Sequence, residues 1–180
     1  MINQQKNEIR KYIKQLKKDY SLETKQAKSK IIFDQAEKLN EFQQAETIMA
    51  YWSMDDEVFT HDFVLKWFKE KLILLPSVKG DELEPRVFKG LDDMIEGTAF
   101  GIKEPKSLYK KSLDKIDLII VPGVAFDKQN NRLGRGKAYY DKLLSKTNAL
   151  KVGVCFDFQM LESVPADQYD IKMDLVISDL

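Results

Sequence analysis

The residues best equipped for chemistry lie between Ile119 and Asp141, in IIVPGVAFDKQNNRLGRGKAYYD. Arg132, Arg135 and Lys137 crowd three cations around Gly134 and Gly136. Like charges at that density repel unless an anion or carboxylates neutralise them. Glycines let the backbone approach a ligand closely. The residues after them read as a helix start, whose first turn offers unpaired N–H groups and positive dipole density. Phosphate is the commonest anion at such a terminus, so a phosphate site is expected at the mouth of a helix beginning near Lys137. The stretch is neither of two familiar phosphate motifs. LGRGKAYY lacks the glycine spacing and the hydroxyl of a P-loop, and Tyr139 stands where a dinucleotide fingerprint needs its third glycine.

Asp141 follows Lys137 by four residues, so on a helix the two share a face. It reads either as half of an ion pair or as a magnesium ligand beside the phosphates, since Mg²⁺ takes one or two carboxylates plus phosphate oxygens. Asp174, opening the run DLVIS, is the candidate second carboxylate, or a plain polar residue at a strand edge. His61 is the only histidine and sits beside Thr60, a candidate helix cap. Since that lone histidine reads as a cap or surface residue, triad catalysis is not expected. Tyr51 and Trp52 read as core or as a ligand platform, and the polar run Ser53 to Glu57 follows them. Cys155 lies in an apolar run and reads as structural.

These groups need a frame. Residues 3–19 place Ile9, Ile13 and Leu16 at helical spacing. Ser21 is a plausible cap for a second helix from Leu22 to about Phe42, with Ala27, Ile31, Leu39 and Phe42 inward. Then short apolar runs alternate with helical ones. Strands are expected over Thr47–Trp52, over Leu72–Leu75 with a stop at Pro76, over Arg86–Lys89, Leu118–Val121, Val152–Phe156 and Leu175–Ser178. Helices are expected over Thr60–Lys71 and Lys137–Ser145, and residues 90–116 are turn-rich. Such alternation implies a mostly parallel sheet covered on both faces, with ligands at the carboxyl ends of its strands.

Composition narrows the function. With 180 residues and 43% of them hydrophobic, one domain can bury a core without staples. Twenty-nine basic and 29 acidic residues give no net charge, against a general nucleic-acid or membrane-surface binder. One cysteine excludes a disulfide framework. No apolar run approaches the ~20 residues of a membrane span, and the first residues carry no targeting pattern, so a cytoplasmic protein is expected.

VPGVAFD followed by NRLGRGKAYYD resembles the signature of the 5-formyltetrahydrofolate cyclo-ligases, also called methenyltetrahydrofolate synthetases. The run from Lys6 to Arg10 is similar to the family's N-terminal element, Tyr51 to Glu57 to its acidic segment, and Lys172 to Asp174 to its last acidic site. The resemblance spans almost the whole chain, with Ala138 standing where many members have glycine. It implies a single domain over residues 1–180, with residues 1–44 as two helices packed on it. It also implies a three-layer α/β/α fold with a mostly parallel sheet, of the NagB/RpiA/CoA transferase-like type. The implied activity is ATP- and Mg²⁺-dependent cyclisation of 5-formyltetrahydrofolate, with or without a polyglutamate tail, to 5,10-methenyltetrahydrofolate, releasing ADP and phosphate. By position, nucleotide contacts fall on Lys6, Arg10, Arg132, Leu133, Gly134, Arg135, Gly136, Lys137, Ala138, Tyr139 and Tyr140. Folate contacts fall on Trp52, Glu57, Arg135, Gly136, Lys137 and Tyr139, and magnesium ligands on Asp141 and Asp174. Arg132, Arg135 and Lys137 would stabilise the phosphoryl transfer, which asks a protein mainly for positioning and charge. The expected partner is the small-molecule substrate, with no nucleic acid or membrane, and the expected state a monomer. A non-enzymatic nucleotide- or phosphate-binding regulator would explain the cations but needs neither carboxylate, and a sugar-phosphate isomerase of similar architecture would turn over without ATP.

Overall fold

The computed structural model describes residues 1–99 and 101–180. Helix α1 (Ile2–Leu16) buries Lys6 and Ile13 and runs into a 3-10 turn over Lys17–Asp19. Ser21 caps α2 (Leu22–Ala36), its hydroxyl accepting the Thr24 N–H at 3.1 Å. The inward face of α2 is Ser29, Ile32, Phe33 and Ala36, not Ala27 and Ile31; Ile31 is exposed. Phe33 sets that rotation by stacking on Phe63 at 4.6 Å. The single helix expected to reach Phe42 is two. After Ala36 the chain turns extended at Leu39 and restarts as α3 (Asn40–Gln44). A continuous helix would carry Phe42 roughly 240° around from Ala36, away from the core. The break instead lets Phe42 meet Phe63 and Trp67, with ring centroids at 5.7 and 5.0 Å.

The alternating part follows as β1 (Thr47–Met49), α4 (His61–Trp67), β2 (Leu72–Lys79), β3 (Glu82–Val87), β4 (Met94–Glu96), β5 (Lys103–Pro105), β6 (Ser107–Leu108) and β7 (Leu118–Val121). Then come β8 (Ala125–Asp127), β9 (Arg132–Leu133), α5 (Tyr139–Leu144), β10 (Leu150–Val154), β11 (Met160–Leu161) and β12 (Leu175–Ile177). The main sheet has the order β12-β10-β7-β1-β2-β3-β6. Its first five strands run parallel, and β3 and β6 are antiparallel additions. All four residues of β7 are buried, as a central strand covered on both faces requires. Alternate residues feed two cores. Ile48, Ile73, Leu118 and Val152 pack with α2, α3 and α4, while Met49, Leu74, Ile119 and Val121 pack with Leu143 and Leu144 of α5. The expected α/β fold with a mostly parallel sheet is therefore present.

Pro76 does not stop β2, which continues to Lys79. Pro76 faces Pro85 in the β2–β3 ladder. Opposed residues of an antiparallel pair alternate between bonded and non-bonded positions, and the Phe88 N–H to Ile73 carbonyl bond fixes which are which. Pro76 and Pro85 take a non-bonded position, so neither lacks a partner across the β2–β3 ladder. On the other side β1 has already ended, its last partner being Leu74. Proline is tolerated where no neighbour needs its N–H.

A smaller sheet, β11-β8-β9, stands beside the main one. Its hairpin is held by Asp127, which is fully buried. The carboxylate accepts from the Gln129, Asn131 and Val164 N–H groups and from the Asn131 amide, at 2.8–3.0 Å. Burial pushes its pKa up, but these donors outweigh it and hold the carboxyl below its ordinary value. Ile13 of α1 packs on Ala125 and Leu133 of this sheet. That contact brings the N-terminal helix alongside the loop between β9 and α5. Among the described residues no helix is long and apolar enough to cross a membrane.

Candidate functional site

The carboxyl ends of β1 and β7 and the extension of β2 open on one cavity of about 610 Å³. Tyr51 and Trp52 enter it from β1, Pro76 and Val78 from β2, and Pro122 and Gly123 from β7. Residues 132–141 form one wall, and Lys6 and Arg10 of α1 lie against it.

Each cation of the loop has a different environment. Arg132 is 5% exposed and acts as a cross-link. Its Nη1 donates to the Pro122 carbonyl at 3.1 Å and its Nη2 to Asp141 at 3.2 Å, tying the end of β7 to the first turn of α5. Its Nε is buried without a partner among the described residues. Arg135 is half-exposed and reaches back to the segment after β1, with Nη2 at 3.1 Å from Asp56 and 3.2 Å from Glu57. Burial alone would lower its pKa, but the two carboxylates outweigh that and raise it. Lys137 is exposed, and among the described residues it has no ion-pair or hydrogen-bond partner.

The backbone of this loop is shaped for close approach. Gly136 has φ +103°, and a Cβ there would lie 3.5 Å from the Arg10 guanidinium. A Cβ on Gly134 would come within 2.9 Å of Arg132 Nη1. Arg10 Nε donates to the Gly134 carbonyl at 2.9 Å, so α1 braces the loop directly. Ala138 is left-handed, with φ +57°, and the helix starts after it at Tyr139. This corrects the expectation of a helix mouth at Lys137. Helix α5 has only six residues, so the cationic loop lining the cavity, not a helix terminus, is the feature able to receive an anion.

Asp141 is not paired with Lys137, which precedes the helix and shares no face with it. Its two oxygens take Arg132 and the Ile171 N–H, the latter at 3.0 Å. Asp174 does not join it. It is exposed at the amino end of β12, accepts the Lys151 N–H at 2.7 Å, and lies outside the cavity lining. Opening a parallel strand puts it at the edge opposite the carboxyl ends. Among the described residues no cluster of three or more His, Cys, Asp or Glu side chains is arranged to hold a metal. Asp141 alone still suits a one-carboxylate magnesium site completed by phosphate oxygens, since a carboxylate with two bonds made keeps free lone pairs.

The opposite wall carries Glu57 and Trp52. Burial raises the Glu57 pKa, against the Met54 N–H and Arg135, which both lower it. Trp52 stacks on His61, with centroids 3.7 Å apart and planes 9° apart. His61 Nε2 lies 3.0 Å from the Ser53 carbonyl, and burial lowers its pKa. The histidine thus backs the tryptophan, while Thr60 binds backbone and makes no side-chain cap.

Sequence reasoning missed Lys17, which is buried, lines the cavity and lies 3.4 Å from Asp56. Its signal was spacing, since Lys6, Arg10, Ile13 and Lys17 continue one helical face. It also missed Asp167 and Asp170, which hold Lys6 at 2.9 and 2.5 Å. Burial pulls the Lys6 pKa down, but the two carboxylates outweigh it and raise it.

The profile of the 5-formyltetrahydrofolate cyclo-ligase family matches residues 2–179. A Haemophilus influenzae protein named 5-formyltetrahydrofolate cyclo-ligase is 28% identical over 96% of this chain and 97% of its own. The NMR structure of the Aquifex aeolicus 5,10-methenyltetrahydrofolate synthetase is 34% identical, covers 97% of this chain and 89% of that one, and superposes with a TM-score of 0.87. The Mycoplasma pneumoniae 5,10-methenyltetrahydrofolate synthetase structure, 27% identical, covers 97% and 99% with a TM-score of 0.78.

Proposed function

The chain belongs to the 5-formyltetrahydrofolate cyclo-ligase family, and on that premise we propose how its cavity serves the reaction. It is an ATP-dependent ligase that closes 5-formyltetrahydrofolate to 5,10-methenyltetrahydrofolate, releasing ADP and phosphate. A formamide oxygen is a poor leaving group. Its attack on the γ-phosphorus, with ADP departing, converts it to a phosphate ester of an imidate. N10 then attacks the formyl carbon, loses its proton, and the C–O bond breaks to free phosphate. Both steps need charge placed against phosphate oxygens and two substrates held in register.

Lys137 and Arg135 supply the positive charge, and the glycine loop braced by Arg10 lets phosphates approach the backbone. Arg132 acts one layer back by fixing Asp141, which would hold magnesium; the ion, when bound, neutralises phosphate charge. Glu57 takes the polar edge of the pterin and Trp52 its apolar surface. The observation that supports this reading is the 3.2 Å contact between Arg135 and Glu57, since the side chain proposed for the pterin and the loop proposed for the phosphates then line one cavity. A single domain of residues 1–180, acting as a cytoplasmic monomer with magnesium, completes the reading, since α1 itself delivers Lys6 and Arg10. The test is growth of methenyltetrahydrofolate absorbance from 5-formyltetrahydrofolate, ATP and Mg²⁺. Folded protein that gives no product, or product without ADP, would refute it.

A further inference from the structure

Arg135 stands on a loop between two glycines, and 43% of its side chain is exposed. A long side chain so placed has many rotamers to lose before it can meet a phosphate in one geometry. The fold nevertheless holds it from one side. Nη2 lies 3.1 Å from Asp56 Oδ1, 3.3 Å from Asp56 Oδ2 and 3.2 Å from Glu57 Oε1. Nε and Nη1 make no hydrogen bond among the described residues. The guanidinium is thus gripped at one nitrogen and keeps the other two for an anion.

The Asp56 carboxylate is no rigid post by itself. It belongs to the turn after β1, lies outside the cavity lining, and leaves 43% of its side chain exposed. An ion pair between two groups so exposed fixes little on its own. A second cation makes the difference. Lys17 is 8% exposed, and its Nζ lies 3.4 Å from Asp56 Oδ2. Among the described residues that ammonium has no other partner. A buried ammonium is costly without a counter-charge, so this contact has reason to stay formed. Burial raises the Asp56 pKa, but Lys17 and Arg135 outweigh it and hold the carboxyl below its ordinary value. Lys17 is anchored in turn, since it follows α1 four residues after Ile13, which is buried against the small sheet. The N-terminal helix therefore reaches the phosphate loop twice. Arg10 holds its backbone at Gly134, and Lys17 holds Arg135 through Asp56.

We infer that Lys17 and Asp56 are positioning residues that act in series: Lys17 fixes the Asp56 carboxylate, and Asp56 fixes the Arg135 guanidinium for the phosphates. The inference rests on the ATP-dependent reading and goes beyond it, because neither residue has to touch a substrate. Steady-state kinetics at saturating 5-formyltetrahydrofolate test it. Groups in one salt-bridge network couple by about 2- to 150-fold, so Lys17→Met and Asp56→Asn should each lower kcat/KM for ATP by about fivefold or more. The shared direction is the signature, since the two changes alter local charge with opposite sign. The double variant should lie within about twofold of the weaker single one, because a broken series breaks once. Lys17→Arg, which keeps the charge, should recover most of the rate. Lys17→Gln repeats the neutral substitution with a second side chain, and thermal melts show that rates are compared on folded protein. Better ATP use by Asp56→Asn would mean that only charge at a distance matters. Losses that multiply in the double variant would mean that Lys17 meets a substrate itself. Either result, an unchanged Lys17→Met enzyme, or failure of both neutral Lys17 variants to fold would overturn the inference. A wild-type protein that forms no ADP with both substrates present would overturn the ligase reading itself, and that failure is visible before any variant is made.

Discussion

Arg132 and Lys137 occupy one loop and carry the same charge, yet truncating them should have opposite consequences. Arg132→Ala removes a buried guanidinium and strands two partners, the Pro122 carbonyl and the Asp141 carboxylate. Breaking a buried pair costs about 3–5 kcal/mol, because the remaining charge stays buried and uncompensated. Asp141 keeps its Ile171 donor, which favours the lower end, near ~3 kcal/mol. For a chain of this length each kcal/mol moves Tm by about 2–4 °C, so the melting point should fall by about 6–12 °C. Lys137→Ala removes an exposed side chain, and such changes stay within about 0.5 kcal/mol. Its melting point should hold within ~2 °C while turnover drops by about 10²–10³, the usual loss when one preorganised charge donor is removed from a reacting centre. Thermal melts and initial rates of methenyltetrahydrofolate formation on the two variants check both halves. Equal melting shifts, or a Lys137→Ala enzyme of normal rate, would refute the division of labour between a framework arginine and a working lysine.

Asp141→Asn should raise the Mg²⁺ concentration for half-maximal rate by about tenfold or more, whereas Asp174→Asn should leave it within twofold; titrating Mg²⁺ on both variants separates them, and matched shifts would return Asp174 to the metal. Ala138→Gly should stabilise the fold by about 0.5–1 kcal/mol in urea unfolding, since a left-handed alanine costs about 1–2 kcal/mol and glycine's greater entropy loss about 0.5–1; a loss of stability would mean that the Ala138 methyl makes a contact worth more than its strain. Asp127 gives a pH signature. Its folded pKa lies below its unfolded value, so its stabilisation is complete above about pH 4 and is lost as pH falls through the folded value. Asp127→Asn should therefore be less stable at neutral pH and lose less on acidification, and parallel stability curves from pH 2 to 6 would exclude that role.

What could be read from the sequence was what local pattern determines. The run Leu118–Val121 announces a buried central strand because four apolar residues between turn signals fit nothing else so short, and Ser21 announces a cap because its hydroxyl acts three residues away. Features set by distant partners were hidden. Pro76 looks like a stop unless one knows that β1 ends level with Leu74 and that Pro85 lies opposite. The end of α2 depends on where Phe63 and Trp67 will be. Lys17 looks like one more solvated lysine until Asp56, 39 residues on, is placed beside it.

The glycine loop shows both sides of this limit. Three crowded cations do require counter-charge, as electrostatics demands, but the chain supplies much of it internally. Asp141 answers Arg132, and Asp56 with Glu57 answers Arg135. Those partners lie nine, 79 and 78 residues away, so no local pattern could separate Lys137, which has no carboxylate partner among the described residues, from the two arginines that carboxylates hold in place. Asp174 is the contrary case, because the needed rule was at hand. If the strands are parallel and ligands bind at their carboxyl ends, a residue that opens a strand lies at the wrong edge, whatever its side chain. A carboxylate proposed for a site in such a sheet is therefore better sought just past a strand, as Glu57 is past β1, or in the first turn of the helix after a strand, as Asp141 is.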